Sequence, residues 1–203
     1  WPNIEYIIID GGSTDGTVAY LQGLPSPVRW ISENDNGIYD AMNKGIRMAT
    51  GTGLLFLNAG DYFAGSVLTF NLGVPCFLPV QYEHPILGLR PIQLRSRKMG
   101  LPNCHQGIVF ENRQDILYNL NYNVSADFDY YLQFGYGDRL PMHQCDGYVY
   151  YDNFGYSQNR ANQRDNEIAK ILKKYFGSFW SVRFTIYAQL KRVIRRLVVS
   201  LRR

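Results

Sequence analysis

The stretch EYIIIDGGSTDGT, residues 5–17, decides the reading of this chain. Tyr6, Ile7, Ile8 and Ile9 lead straight into Asp10, two glycines, Asp15 and Gly16. A continuous apolar run from Ile4 to Ile9, rather than an alternating one, predicts a strand buried on both faces. The polar, glycine-rich turn behind it predicts a functional edge. Ser13 or Thr14 is expected to cap a short helix ending near Gln22.

The pattern then repeats. Pro25 and Pro27 break the chain, and Val28 to Ile31 reads as a second strand. Gly37 opens a helix in which Ile38, Ala41, Met42, Gly45, Ile46 and Ala49 recur at helical spacing, with Gly51 as its stop. Gly53 to Leu57 reads as a third strand. Strand, helix, strand, helix, strand implies right-handed βαβ units and a parallel sheet. The segment 67–104 carries Pro75, Pro79, Pro85, Pro91 and Pro102, which excludes long helices there. Further on, 107–112 predicts a strand, "ADFDYYLQF" a helix capped by Ser125, and 148–151 a late strand. Asn166 to Tyr175 and the chain from about Phe179 predict amphipathic helices.

The chain has 203 residues, 46% apolar and 19% charged, enough for a packed core and against global disorder. Aromatics reach 15%, mostly tyrosine, which suits either core filling or a sugar-like ligand. The formal net charge of +4 is concentrated in Lys191, Arg192, Arg195, Arg196, Arg202 and Arg203. The remainder is near neutral, so no nucleic-acid partner is expected. Cys76, Cys104 and Cys145 are too few for a disulfide framework and fit a reducing compartment. No apolar run reaches the ~18 residues that span a bilayer. The spacings of "CH" and "HQC" do not match structural zinc.

Ligands of open parallel sheets bind beyond the carboxyl ends of the strands. Three such ends are polar here: Asp10 with "GGSTDGT", "SENDNG" at 32–37, and "NAGD" at 58–61. The first lacks both the G-x-G-x-x-G and the G-x-x-x-x-G-K-[ST] spacings. Asp10 and Asp15 suit hydrogen bonds to a base or ribose, or a bridging divalent cation, and equally suit turn formation and helix capping. Asp61, after a buried strand, can hold Mg²⁺ or Mn²⁺ with phosphates and water completing the shell. In "SADFDYY", Asp127 and Asp129 lie about 200° apart on a helix, so only one faces a pocket.

"IIIDGGSTDGT", "SENDNGIYDAMNKGIRMATG" and "LLFLNAGD", in that order and spacing over residues 4–61, resemble the family-2 glycosyltransferases of the GT-A fold. The likeness is to bacterial enzymes of exopolysaccharide and surface-polysaccharide assembly. It continues through "GLPNCHQGIVF" and "NVSADFDYYLQFG", about two-thirds of the chain. The resemblance implies an α/β GT-A fold, a Rossmann-like, mostly parallel sheet flanked by helices, with a C-terminal amphipathic helical tail. It implies a donor-binding part over 1–66, an acceptor-binding part over 67–152 and a basic, membrane-associating tail over 153–203. By resemblance Asp10 contacts the nucleoside base, often uracil. Asp15, Glu33 and Asp35 border the nucleotide pocket, while Asp40, Asn43 and Lys44 line the donor side. Asn58 and Asp61 stand where the family carries its D-x-D-like metal motif, with Asn58 in place of an acid. Asp127 matches the general base, with Asp129 as the alternative. His105 and Gln106 match a pair that contacts the diphosphate or acceptor, although a lone histidine is also ordinary structural filler.

The resemblance therefore implies an inverting, metal-dependent transfer from a nucleoside-diphosphate sugar, a UDP-sugar favoured, to a saccharide or lipid-linked acceptor. The terminal helix, apolar on one face and cationic on the other, suits an anionic membrane surface, which places the protein in the cytoplasm at the inner face of the cell membrane. It equally suits packing against its own domain or a partner's groove. The family pattern begins with a further strand and helix, so the expectation is of a fragment or truncated gene with an unpaired sheet edge. A non-catalytic sugar-nucleotide-binding or membrane-associated module is the alternative, and a nucleotidyltransferase a third.

Overall fold

A computed structural model describes residues 3–66, 73–84, 87–152 and 160–200. The first βαβ unit forms as its pattern predicts. β1 (Ile7–Asp10) pairs in parallel with β2 (Arg29–Ser32), Ile7 opposite Arg29 and Asp10 opposite Ser32. Between them lies α1 (Thr17–Gln22), followed after β2 by α2 (Ile38–Met48). The cap of α1 is not Ser13 or Thr14. The helix starts after Gly16, whose left-handed φ of 96° turns the chain, and Asp15 accepts the Thr17 N–H at 3.1 Å.

The α/β class holds, and the sheets are mixed. β3 (Gly53–Leu54), β8 (Ile108–Glu111) and β5 (Cys76–Phe77) form one sheet in the order β3-β8-β5. β4 (Tyr62–Gly65), β9 (Gly147–Tyr151), β6 (Val80–His84) and β7 (Gly88–Pro91) form another in the order β4-β9-β6-β7. Among the described strands, only β1–β2 and β6–β9 are parallel. The predicted third strand, 53–57, is corrected. Only Gly53–Leu54 forms a ladder, and it runs antiparallel to β8 rather than beside β1. Gly53 allows this close approach, since a Cβ there would lie 3.0 Å from Val74 Cγ2.

Between the free edge of β1 and the segment 53–59 runs a cleft of about 750 Å³, walled by Ile7, Ile9, Leu55 and Leu57 and floored by Met42 and Gly45 of α2. Among the described strands β1 has β2 as its single partner, and Ile7 and Ile9 of β1 line this cleft.

The core sits under α2 and α3 (Ala126–Gln133). α4 (Ala161–Phe176) and α5 (Ser178–Ser200) close it from the other side. Ile46, Leu54, Phe110, Phe128, Ile171 and Phe184 belong to one cluster, so the three expected segments 1–66, 67–152 and 153–203 share a core. α5 turns Phe184 and Ala188 inward. Its opposite stripe, Phe179, Val182, Ile186, Leu190 and Val193, is exposed. None of the described helices is long and apolar enough to cross a membrane.

Much of the aromatic content is core. Tyr118 stacks on Tyr130 with centroids 4.1 Å apart, and Phe110 meets Tyr130 edge-on at 5.0 Å. The Tyr130 hydroxyl is buried with no hydrogen-bond partner, which costs free energy on folding. Tyr130→Phe is therefore expected to raise stability by about 1 kcal/mol in urea unfolding. A loss of stability would show that the hydroxyl is satisfied.

Candidate active site

The carboxyl ends of β1 and β2 converge. Asp10 Oδ2 accepts the N–H groups of Gly12 (3.1 Å) and Ser13 (2.9 Å) and the Ser32 hydroxyl (2.6 Å), while Oδ1 accepts the Ser13 hydroxyl. The Ser13 and Ser32 hydroxyls and the two N–H groups hold its carboxyl down to about 2. Three of these donors meet Oδ2 and one meets Oδ1, so the carboxylate shapes the turn and keeps an acceptor position on Oδ1. Asp15 Oδ1 accepts the Thr17 N–H and hydroxyl.

The second turn closes onto the first through its glycines. A Cβ on Gly11 would lie 2.6 Å from Asp35 Oδ2, and one on Gly12 the same distance from Asn34 Oδ1. Asp35 also accepts the Gly37 N–H at 2.9 Å, at the entry to α2. Asp40 accepts the Asn36 N–H at 2.9 Å. Lys44 donates to Asn34 O at 2.7 Å and pairs with the exposed Glu33 at 3.1 Å. Asp10, Asp15, Glu33, Asp35, Asp40 and Lys44 are thus brought together on one rim.

Asn43 is not on that rim. It is buried, donating to Tyr118 O at 3.0 Å and accepting the Tyr118 N–H at 2.8 Å. The correction follows from helix geometry, because Asn43 shares a face with Tyr39 and turns inward when Asp40 and Lys44 turn outward.

Across the cleft lies the third strand end. Asn58 and Ala59 line the cleft together with Ile9 and Asp35. Asp61 Oδ2 accepts from Gln106 Nε2 at 2.8 Å, and Oδ1 accepts the Asp152 N–H at 2.8 Å. Burial pushes its carboxyl up, and the Asp152 charge pushes the same way. Among the described residues no three His, Cys, Asp or Glu side chains converge. Asp61 and the neighbouring Asp152 are the carboxylates here, and a cation held by so few protein oxygens would draw most of its shell from substrate phosphate and water.

His105 and Gln106 sit behind this wall. His105 is buried, stacks on Phe56 and lies 2.6 Å from the Tyr118 hydroxyl through Nε2. Burial pushes its imidazole down to about 3, so it is neutral at ordinary pH. Both are buried; His105 packs against Phe56, and Gln106 holds Asp61. Gly107 permits it, since a Cβ there would meet Val80 Cγ2 at 2.1 Å.

Asp127 and Asp129 are separated by their surroundings. Asp129 is 1% exposed and held by Lys174 Nζ (2.9 Å) and Gln133 Nε2 (3.2 Å). Asp127 carries no such cation clamp. Burial pushes its carboxyl up to about 6, and the Phe128 N–H, the Arg95 guanidinium and the Tyr39 hydroxyl only partly offset that. A carboxyl that titrates near neutrality is suited to accept a proton. Tyr39, Arg95, Asp152, Glu167 and Lys174 were missed by sequence reasoning. Asp152 alone left a signal, a carboxylate directly behind the predicted strand 148–151.

Residues 1–69 match the sequence profile of Glycosyl transferase family 2. A glycosyltransferase of Mycobacterium tuberculosis (strain H37Rv) is 56% identical over 63 residues, 30% of this chain and 24% of that protein. A PGL/p-HBAD biosynthesis glycosyltransferase of Mycobacterium bovis (strain BCG) is 32% identical over 147 residues, 63% of this chain and 57% of that protein. The chain thus spans about a quarter and rather more than half of these relatives. The crystal structure of Staphylococcus aureus TarS 1–349 in complex with UDP superposes with a TM-score of 0.56 at 15% identity, covering 91% of this chain and 62% of that one. The same protein in complex with UDP-GlcNAc gives 0.55 at 12%, covering 91% and 63%. The likeness shows a shared GT-A fold.

An acid whose pKa rises on folding holds its proton more tightly in the native state. Asp127 therefore favours folding below pH 4 and loses that contribution as pH climbs from about 4 to about 6. Asp127→Asn is expected to flatten the stability profile across that window in urea unfolding at pH 4, 5, 6 and 7. An unchanged slope would place the titration elsewhere.

Proposed function

We propose that this chain, whose residues 1–69 carry the glycosyl transferase family 2 pattern, moves a sugar from a nucleoside-diphosphate sugar to a hydroxyl of a saccharide. The observation that carries the reading is the position of Asp127, a half-buried carboxyl titrating near 6 on α3, beside Tyr39 of the donor-side helix α2. The complexes of TarS with UDP and UDP-GlcNAc support a nucleotide-sugar donor, a UDP-sugar first.

In this mechanism Asp127 accepts the proton of the acceptor hydroxyl as its oxygen attacks the anomeric carbon. The bond from that carbon to the diphosphate breaks, its electrons leave with the nucleoside diphosphate, and one displacement inverts the anomeric centre. Such a base contributes about 10²- to 10⁴-fold in rate. A divalent cation, Mg²⁺ or Mn²⁺, would offset the charge developing on the leaving diphosphate. Asp61 would hold it, oriented by Gln106 and with Asn58 nearby in the same turn. The rim of Glu33, Asp35, Asp40 and Lys44 would meet the nucleotide.

The acceptor is proposed to be lipid-linked, in polysaccharide assembly at the inner face of the cell membrane. Support comes from the exposed stripe of α5 and from a sequence with no acid after Glu167 and a cluster of Arg and Lys at its end. A non-catalytic sugar-nucleotide-binding or membrane module is the second reading. The edge of β1 left unpaired among the described strands favours it.

Thermal stabilisation by UDP and GDP, each with and without Mn²⁺, tests the donor site. A UDP shift that needs Mn²⁺ and is lost in Asp61→Ala is expected. No shift with either nucleotide would remove the donor reading. Asp127→Asn is expected to keep the UDP shift and to lower transfer by about 10²-fold or more. Equal transfer by the variant would reject Asp127 as the base.

A further inference from the structure

Asp127 stands on a helix that does not cap itself. Ser125 occupies the N-cap of α3, as expected, but makes no side-chain cap. Its hydroxyl donates instead to Arg164 O at 3.3 Å. The end of α3 is fixed by another element. Glu167 of α4 is buried, and its Oε2 accepts the N–H groups of Val124 and Ser125, both at 2.9 Å. Its Oε1 accepts the Asn123 N–H at 3.1 Å and Gln163 Nε2 at 3.0 Å. Three consecutive backbone donors, the three residues immediately before Ala126 begins the helix, point at one carboxylate.

Seven residues further along α4, Lys174 donates to Asp129 Oδ1 at 2.9 Å. The two grips stand roughly 10 Å apart, two turns of one helix face. The first fixes where α3 starts. The second fixes its rotation, because it ties the side chain about 200° away from Asp127. With Asp129 drawn to α4, Asp127 is left facing α2 and the segment that carries Arg95.

We infer that Glu167 and Lys174 are positioning residues for Asp127, and that α4 sets the place and the hydration of that carboxyl by gripping α3 at these two points. The inference rests on the reading of Asp127 as the base. The groups that face Asp127 are Tyr39 from α2, Arg95 and Cys104 from the segment before β8, and Tyr118 from the segment before α3. From α4, Tyr39 also feels the Glu167 charge and Arg95 that of Arg164, whereas Lys174 is engaged with Asp129, so the Lys174 variants separate positioning from a direct charge effect. Glutamine at 167 keeps the shape but turns an amide N–H₂ toward donors, so at least one of the three backbone bonds is lost. A loosened first turn admits water to Asp127, and its midpoint falls toward the ordinary carboxylate range.

The test is a ¹³C-carboxylate NMR titration of the full chain, with Asp127→Asn assigning the resonance and thermal melting recording the fold. In Glu167→Gln and in Lys174→Met the Asp127 midpoint is expected to fall by at least about one pH unit, and Lys174→Arg is expected to restore it. Should Glu167→Gln fail to fold, the Lys174 pair decides, since that side chain is half exposed. Lower melting temperatures with an unmoved midpoint would reduce both residues to ordinary structural contacts and overturn the inference. The two failures are distinguishable. Unimpaired transfer by Asp127→Asn removes the base, whereas loss of transfer in Asp127→Asn with an indifferent midpoint in the α4 variants removes only the positioning role.

Discussion

Burying Asn43 against the backbone of Tyr118 is the constraint on which the site depends. The amide satisfies both the N–H and the C=O of a residue 75 positions away, inside the core, where leaving either unpaired would cost about 1–3 kcal/mol. That bond fixes α2 in rotation. One face then carries Asp40 and Lys44 to the turns behind β1 and β2, and the other carries Tyr39 to Val124 and Asp127. A single helix so joins the rim proposed to meet the donor to the carboxyl proposed to act on the acceptor.

The site holds two carboxyls in opposite states by opposite means. Asp10 is surrounded by donors that favour its charge and titrates at about 2. Asp127 is desolvated, with less compensation, and titrates at about 6. Pairs of acids pushed apart in this way divide labour, one held permanently ionised as structure and the other left free to exchange a proton. Residue type alone treats them as alike, and only their surroundings separate them.

Elements set by local pattern were legible. β1, α2, β8, α3 and β9 fall within a few residues of the periodicity and turn signals that predicted them. What the pattern could not supply was tertiary. The run 53–57 has the composition of a buried strand, yet its partner is fixed by the Gly53 approach to Val74 and by β8, which lies more than 50 residues away. Asn43 reads as a polar rim residue until Tyr118 arrives beside it. Ser125 has the right type for a cap, but Glu167 delivers a stronger acceptor to the same end of α3. The candidate rim was legible because its turns are local. The tuning of Asp127 was not, because Tyr39, Arg95 and α4 come from distant parts of the chain.

The cleft gives these placements a mechanical meaning. One wall is β1 with the Asp10 turn and Asp35, and the other is the segment through Asn58 leading to Asp61. No described strand ladder joins them. Their common support is α2, whose Met42 and Gly45 form the floor, with Ile9 Cγ1 3.7 Å from where a Gly45 Cβ would stand. Apolar walls without a shared ladder hold their spacing by packing on that floor and through Glu5, which accepts the Thr50 N–H at 2.8 Å. A ligand touching Asp35 on one side and the Asn58–Asp61 turn on the other supplies a bridge the backbone lacks. For such a ligand, binding across the cleft and ordering of its two walls would be one free-energy change.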